Sequence, residues 1–242
     1  MAQEAKQISV LSEQVKLQHA ADGFRTGLDS VMLAAACPAK DGESILDLGC
    51  GVGGASLCVL TRMPNTTLTG IDIQADHIDL AIQNATENNM DDRTTFLTSD
   101  IRNYKDGRFN HIICNPPYQD SDERVSSPSA SKETAHAHQE HVDLQDWVDA
   151  AVRNLKSKGS LTIIHRADQT DKIIQCLEGR FGGTEIIPLW PKENTPAKRV
   201  IIRTYRDSRS PATIHPGITL HKENGDYTEE AEGILRQILP IK

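Results

Sequence analysis

The sequence predicts an α/β domain built on a mostly parallel, doubly wound sheet, and three observations carry that expectation. From about residue 28 onward, short apolar runs alternate with helix-length amphipathic segments, the pattern of βαβ units. The first of these runs leads straight into a cluster of glycines, and acidic residues stand at the ends of the next two, where ligands gather in open α/β sheets. A chain of 242 residues suits one such domain.

Ser44–Leu48 reads as the first strand, Thr67–Asp72 as the second, Thr94–Thr98 as the third, His111–Cys114 as the fourth and Ser160–His165 as the fifth. Ile186–Leu189 and Arg199–Tyr205 complete a set of seven. Between the fourth and fifth, Leu144, Trp147, Val148, Ala151, Val152 and Leu155 recur at helical spacing behind Asp143, a good N-cap. Asp207–Pro216 reads as loop, and Thr228 as the cap of a terminal helix that ends before Pro240. The polar, Ser-rich stretch Gln119–Gln139 interrupts the alternation, and 119–139 is expected to be a mobile lid over the site.

The net charge of −8 argues against indiscriminate attraction to nucleic acid. Residues 151–209 nevertheless carry twelve Lys or Arg against six Asp or Glu, which fits either a polyanionic partner or a solvated basic face. Five cysteines, Cys37, Cys50, Cys58, Cys114 and Cys176, include no C-x-x-C and read as buried reduced thiols. No run approaches the roughly 18 apolar residues of a membrane span, and the start MAQEAKQISV lacks the regions of a secretory signal. A cytoplasmic protein without membrane contact is expected, with a monomer favoured.

The first strand enters Gly49-Cys50-Gly51-Val52-Gly53-Gly54, which formally satisfies the G-x-G-x-x-G dinucleotide pattern, with Asp72 ending the next strand. On that match alone NAD competes. Asp47, two residues before Gly49, points elsewhere, because a carboxylate there suits a cofactor that presents an ammonium group and repels a pyrophosphate. S-adenosylmethionine has an ammonium and no phosphate. Gly49 and Gly51 let the backbone pass close to its methionine and ribose. Asp72 is expected to accept from both ribose hydroxyls, Ile73 to cover one face of the adenine, and Asp100, followed by Ile101, to hold the adenine amino group.

After the fourth strand comes Asn115-Pro116-Pro117-Tyr118. An exocyclic amine has its lone pair delocalised into the ring, so it attacks poorly until acceptors hold its hydrogens and favour a tetrahedral nitrogen. Asn115 Oδ1 and the Pro116 carbonyl can be those acceptors, and the two prolines fix the backbone beforehand. Tyr118 offers a flat face on which a base can stack. The positive sulfonium is the electrophile, so no general base is needed before attack and the protein's work is alignment.

This tetrapeptide, with D-x-G-x-G after the first strand, resembles the amino methyltransferases that modify adenine N6 or a glutamine amide nitrogen. A narrower resemblance spans nearly the whole chain. The run from Gln18 through Gly23, Phe24, Arg25, Thr26 and Gly27 to Val31, followed by MLAAACP, is similar to bacterial methyltransferases that modify the adenine beside the anticodon of valine tRNA. So are Ser127-Pro128, Leu161 to Arg166 and Pro196 to Val200. The resemblance implies a Rossmann-like fold with strand order 3-2-1-4-5-7-6, S-adenosylmethionine as cofactor and a tRNA substrate. It also implies one domain over residues 1–242, in which 1–40 line the cofactor and substrate. Thr26, Asp29 and Ser30 would lie near the methionine end, and Lys198 and Arg199 on an RNA-facing edge, although physics alone leaves those two solvated.

A protein glutamine N5-methyltransferase would use the same tetrapeptide, but such enzymes resemble two-domain chains, and only about forty residues precede the first strand. A DNA adenine methyltransferase likewise lacks room for a target-reading domain. A non-catalytic RNA-binding protein of the same fold is the alternative from another class, against which Asn115, Tyr118 and Asp72 speak. His136, His138 and His141 are spaced H-x-H-x-x-H near Glu140 and Asp143, but they lack a fourth ligand at strong spacing, and the reaction needs no metal. No metal is expected.

Calorimetry is expected to show S-adenosylmethionine bound and NAD not, with Asp72→Ala weakening cofactor binding by about 1–3 kcal/mol. Tighter binding of NAD would end the methyltransferase reading.

Overall fold

Strand β3 (Ser44–Leu48) shows why the sheet is parallel at its centre, since Ile45, Leu46 and Leu48 are buried on alternate faces and need cover from both sides. The computed structural model describes residues 6–19, 27–118 and 142–241. Thr26, the 119–139 lid, Ser127-Pro128, and His136, His138 and His141 lie outside the described residues. Beside β3 run β4 (Thr67–Asp72) and then β5 (Thr94–Thr98) on one side, with β6 (Phe109–Cys114) and then β7 (Leu155–Arg166) on the other, all parallel. Strand β9 (Arg199–Arg206) pairs antiparallel with β7 and with β8 (Phe181–Trp190). Numbered from β3, this is the expected order 3-2-1-4-5-7-6.

Two helical layers cover the sheet. Helices α1 (Leu28–Ala36), α2 (Gly54–Arg62), α3 (Ala75–Glu87) and α6 (Glu229–Arg236) bury Ile45, Ile113, Ile164 and Ile201. Helices α4 (Leu144–Asn154) and α5 (Thr170–Leu177) bury Leu46, Leu48, Ile112 and Ile163 on the opposite face. The expected caps form: Asp143 accepts from the Asp146 amide at 3.0 Å within a capping box, and Thr228 Oγ1 accepts from the Ala231 amide at 3.2 Å. The cysteines are free, four of them buried. Among the described residues no helix is long and apolar enough to cross a membrane.

The structure departs from the sequence expectations at its margins. The segment read as loop contains β10 (Thr213–Ile214), which with β11 (Ile218–Thr219) pairs alongside β8. Strands of two residues have no periodicity to detect, and they exist only because β8 offers an edge. Ahead of α1, β1 (Lys6–Val10) and β2 (Val15–His19) form an antiparallel hairpin that the alternation of apolar runs, which starts only near residue 28, does not announce.

Asn84, wholly buried on α3, fastens that hairpin to the site. Its Oδ1 accepts from the Gln18 amide at 2.8 Å, while its Nδ2 donates to the Gln18 carbonyl at 3.2 Å and to the Val52 carbonyl in the glycine loop at 2.9 Å. Asn84→Ala leaves these backbone groups unpaired, and a loss of about 1–3 kcal/mol is expected in urea unfolding together with weaker cofactor binding. An unchanged midpoint would mean that the hairpin rests on its apolar contacts alone.

Candidate active site

The carboxyl ends of β3, β4 and β6 converge on a cavity lined by Ser30, Asp47, Gly49, Gly51, His77 and Asn115. Gly49 has φ +64°, and a Cβ there would stand 2.5 Å from Trp147 Cη2, so only glycine lets the chain turn over α4. At Gly51, φ is +54° with open space where a Cβ would be, which leaves a smooth cradle on the cavity side.

Two carboxylates stand beneath this loop. Asp72 accepts from the Gly51 amide and the Gln74 amide, each at 2.9 Å, with His77 Nδ1 at 3.8 Å. Burial opposes its ionisation, but His77 and the two amides outweigh burial and hold the carboxyl below its ordinary value. Each Asp72 oxygen keeps a further lone pair for a ribose hydroxyl. Asp47 is only 2% exposed, and its carboxyl accepts from Ser56 Oγ at 2.6 Å. Burial pushes that carboxyl up to about 7, with the nearby Asp72 adding to the effect and Ser56 opposing it. A buried acid without a cation among the described residues is a fitting partner for an ammonium group. Ile73, 48% exposed beside Asp72, presents an apolar face suited to an adenine.

Asp100 and Ile101, both expected to meet the cofactor, already have partners within the protein. The Arg102 guanidinium holds Asp100 through contacts of 3.1, 3.1 and 2.6 Å and keeps its carboxyl below the ordinary range, so an adenine amine would share an acid already paired. Ile101 is buried in the apolar cluster under α4.

Asn115 opens from β6 onto the cavity, followed by buried Pro116, exposed Pro117 and half-buried Tyr118. The Tyr118 hydroxyl donates to Asp29 Oδ2 at 2.6 Å, and Arg199 Nε donates to the same oxygen at 3.0 Å. Arg199 lies 4.6 Å above the Tyr118 ring, and His165 meets that ring edge-on at 5.0 Å. Burial pushes His165 down to about 4, keeping it neutral. Asp29, expected near the methionine end, has its carboxylate engaged by Tyr118 and Arg199. Ser30 lines the cofactor cavity, while Asp29, one residue earlier around the helix, faces Tyr118 and Arg199. Arg199 is engaged by Asp29 and Tyr118 and is not simply solvated. Lys198 beside it is exposed, its ammonium without an ion pair or hydrogen bond among the described residues.

The basic excess of residues 151–209 is largely spent internally. Arg203 is buried and donates to Glu185 at 2.9 and 2.6 Å and to the Ala36 carbonyl at 3.1 Å. Arg206 donates to the Leu155 carbonyl, and Arg166 and Arg180 pair with Asp168 and Asp149.

A family model described as the methyltransferase small domain matches residues 24–189. The chain belongs to that family. It is 26% identical to the tRNA1(Val) (adenine(37)-N6)-methyltransferase of Dyadobacter fermentans, over 81% of this chain and 82% of that protein. With the protein of the same name from Vibrio campbellii it shares 25% identity, over 93% of this chain and 92% of the relative. A solved structure from Agrobacterium tumefaciens, described as a predicted O-methyltransferase, superposes with a TM-score of 0.74 at 22% identity, covering 88% of this chain and 98% of that one. The likeness to this structure shows the fold alone. As a methyltransferase small domain protein the chain uses S-adenosylmethionine, and the cradle, the orphan acid Asp47 and the exposed Ile73 suit that cofactor.

Ser56, His77 and Asn84 carry no motif that marks them in the sequence, and His165 is marked only as part of the Leu161 to Arg166 run. Ser56 and His77 stand nine and five residues after Asp47 and Asp72, spacings that acquire meaning only once the helix starts are known.

An ammonium partner stabilises ionised Asp47, so the complex holds its pKa below the ligand-free value of about 7. Binding then releases a proton below that pH, and cofactor affinity is expected to fall, by up to about tenfold per pH unit, as pH drops from about 7. Calorimetric titrations across pH check this, and Asp47→Asn should bind weakly with no such slope. Equal slopes in both proteins would assign the dependence to another group.

Proposed function

We propose that this methyltransferase small domain protein transfers the methyl group of S-adenosylmethionine to N6 of an adenine in tRNA, at the position next to the anticodon. The observation that carries the reading is Asn115, which follows β6 directly and lines the same cavity as Asp47 and Gly51. The two tRNA1(Val) adenine-N6 methyltransferases similar over most of the chain support the choice of substrate. One domain over residues 1–242, acting in the cytoplasm as a monomer without a metal, is part of the same reading.

In this mechanism Asp47 takes the ammonium, the Gly49–Gly51 turn lies against the methionine, and Asp72 accepts from the ribose hydroxyls. Ser30 lies nearby in the cavity wall. Ile73 covers the adenine, whose amine donates to an Asp100 oxygen alongside Arg102. When bound, the cofactor supplies a methyl group on a positively charged sulfur. Asn115 Oδ1 and the Pro116 carbonyl accept the two hydrogens of the target amine, which localises the nitrogen lone pair toward that methyl. Tyr118 supplies the stacking face, and Asp29 and Arg199 hold its ring in place before substrate arrives. Lys198 meets phosphate.

The test incubates the protein with labelled cofactor and total tRNA, then digests the RNA to nucleosides. Label in N6-methyladenosine is expected, whereas unlabelled RNA with label at glutamine amide nitrogen in a parallel incubation with cell protein would favour the glutamine N5 reading. Asn115→Ala should leave cofactor affinity nearly intact and cut kcat severely, with Asn115→Asp milder. Tyr118→Ala should forfeit about 1–3 kcal/mol of stacking. Tyr118→Phe keeps the ring but loses the bond to Asp29, so a measurable intermediate defect is expected. Near-normal turnover of both alanine variants would reduce the tetrapeptide to a rigid turn.

A further inference from the structure

Lys198 and Arg199 belong to the walls of two adjoining hollows. One, of about 430 Å³, contains Tyr118 together with Arg166 and Asp168. The other, of about 400 Å³, is walled by Leu28, Leu189, Pro191, Leu220 and His221 and shares Asp29 and Arg199 with the cluster around Tyr118. Its size is that of a small-ligand site. Leu189 and Leu220 form its buried floor, and half-buried Leu28 and Pro191 present the apolar surface. The His221 ring is braced by Tyr227, stacked at 4.7 Å with 23° between planes, and its Nδ1 lies 3.0 Å from the Gly225 carbonyl. At the rim Lys198 is an exposed ammonium with no partner among the described residues.

We propose that this second hollow binds the nucleotide adjacent to the target adenosine. An apolar wall with a braced imidazole suits the π-face of a base of any sequence, and a lone ammonium at the rim suits its phosphate, the combination by which single-stranded RNA is held. Continuity favours a polynucleotide over an unrelated small molecule. Arg199 lies over the Tyr118 ring and also walls the second hollow, so a strand whose target base reaches Tyr118 continues past it into this space. The subsite rests on tRNA being the substrate and adds a residue, His221, that no motif indicates.

The test is a cycle between protein and substrate. KM and kcat are measured for wild type, His221→Ala and His221→Phe on an anticodon stem-loop RNA, and on the same RNA made abasic at the 5′ or the 3′ neighbour of the target. On intact RNA His221→Ala is expected to raise KM about tenfold without changing kcat, and His221→Phe to restore most of the loss. At one of the two neighbours the abasic RNA should cost wild type a similar factor and cost His221→Ala nothing further. Losses that multiply independently at both neighbours, or an unchanged KM for His221→Ala, overturn the subsite. If His221→Ala disturbs cofactor binding, the cycle is run instead with exposed Lys198→Ala against an uncharged methylphosphonate at the neighbour. Non-multiplying losses there support the subsite, and independent losses overturn it. No methyl transfer from wild type to intact RNA overturns the tRNA reading and the subsite with it.

Discussion

Two carboxylates on neighbouring parallel strands, Asp47 and Asp72, are brought under one glycine loop, and their electrostatics govern the cofactor cavity. Like charges in a low-dielectric setting cannot both ionise freely, and the protein separates their behaviour. Asp72 is given two backbone amides and a histidine, so it stays charged and pins the loop through Gly51. Asp47 is held by Ser56 and is pushed toward neutrality, which keeps it ready for a ligand that brings its own positive charge. The loop can pass over them because Gly49, having no Cβ, fits against Trp147 at a positive φ.

A second junction lies on the substrate side. One oxygen of Asp29 receives both the Tyr118 hydroxyl and Arg199 Nε, joining the start of α1, the exit of β6 and the start of β9. Arg199 also covers the aromatic ring, so the aromatic of the tetrapeptide is held by contacts from three directions, including the neutral His165. Buried Arg203 meets Glu185 in the sheet in the same manner. Such pairs explain how a segment with a marked basic excess leaves few cations unengaged on the surface.

Much of the fold was legible because its signals are local. The seven main strands contain the expected apolar runs, although β7 and β8 extend well before them, the α4 stripe follows a capping residue, and Asp47, Gly49, Asp72 and Asn115 take their places by standing at strand ends. The hairpin, β10 and β11 were not legible, since each is held by partners far away in the chain, as Asn84 shows for the hairpin.

By itself the sequence determined the α/β alternation, the glycine turn and the order in which acids and the Asn-Pro-Pro-Tyr segment arrive at the carboxyl edge. A backbone pattern with period two or 3.6 and a few special residues suffices for that. Only the tertiary structure decided how the polar side chains are shared: Asp29 with Tyr118 and Arg199, and Arg203 with Glu185. Side-chain pairing and burial depend on distances between segments remote in sequence, and composition cannot say which of many acids meets which base.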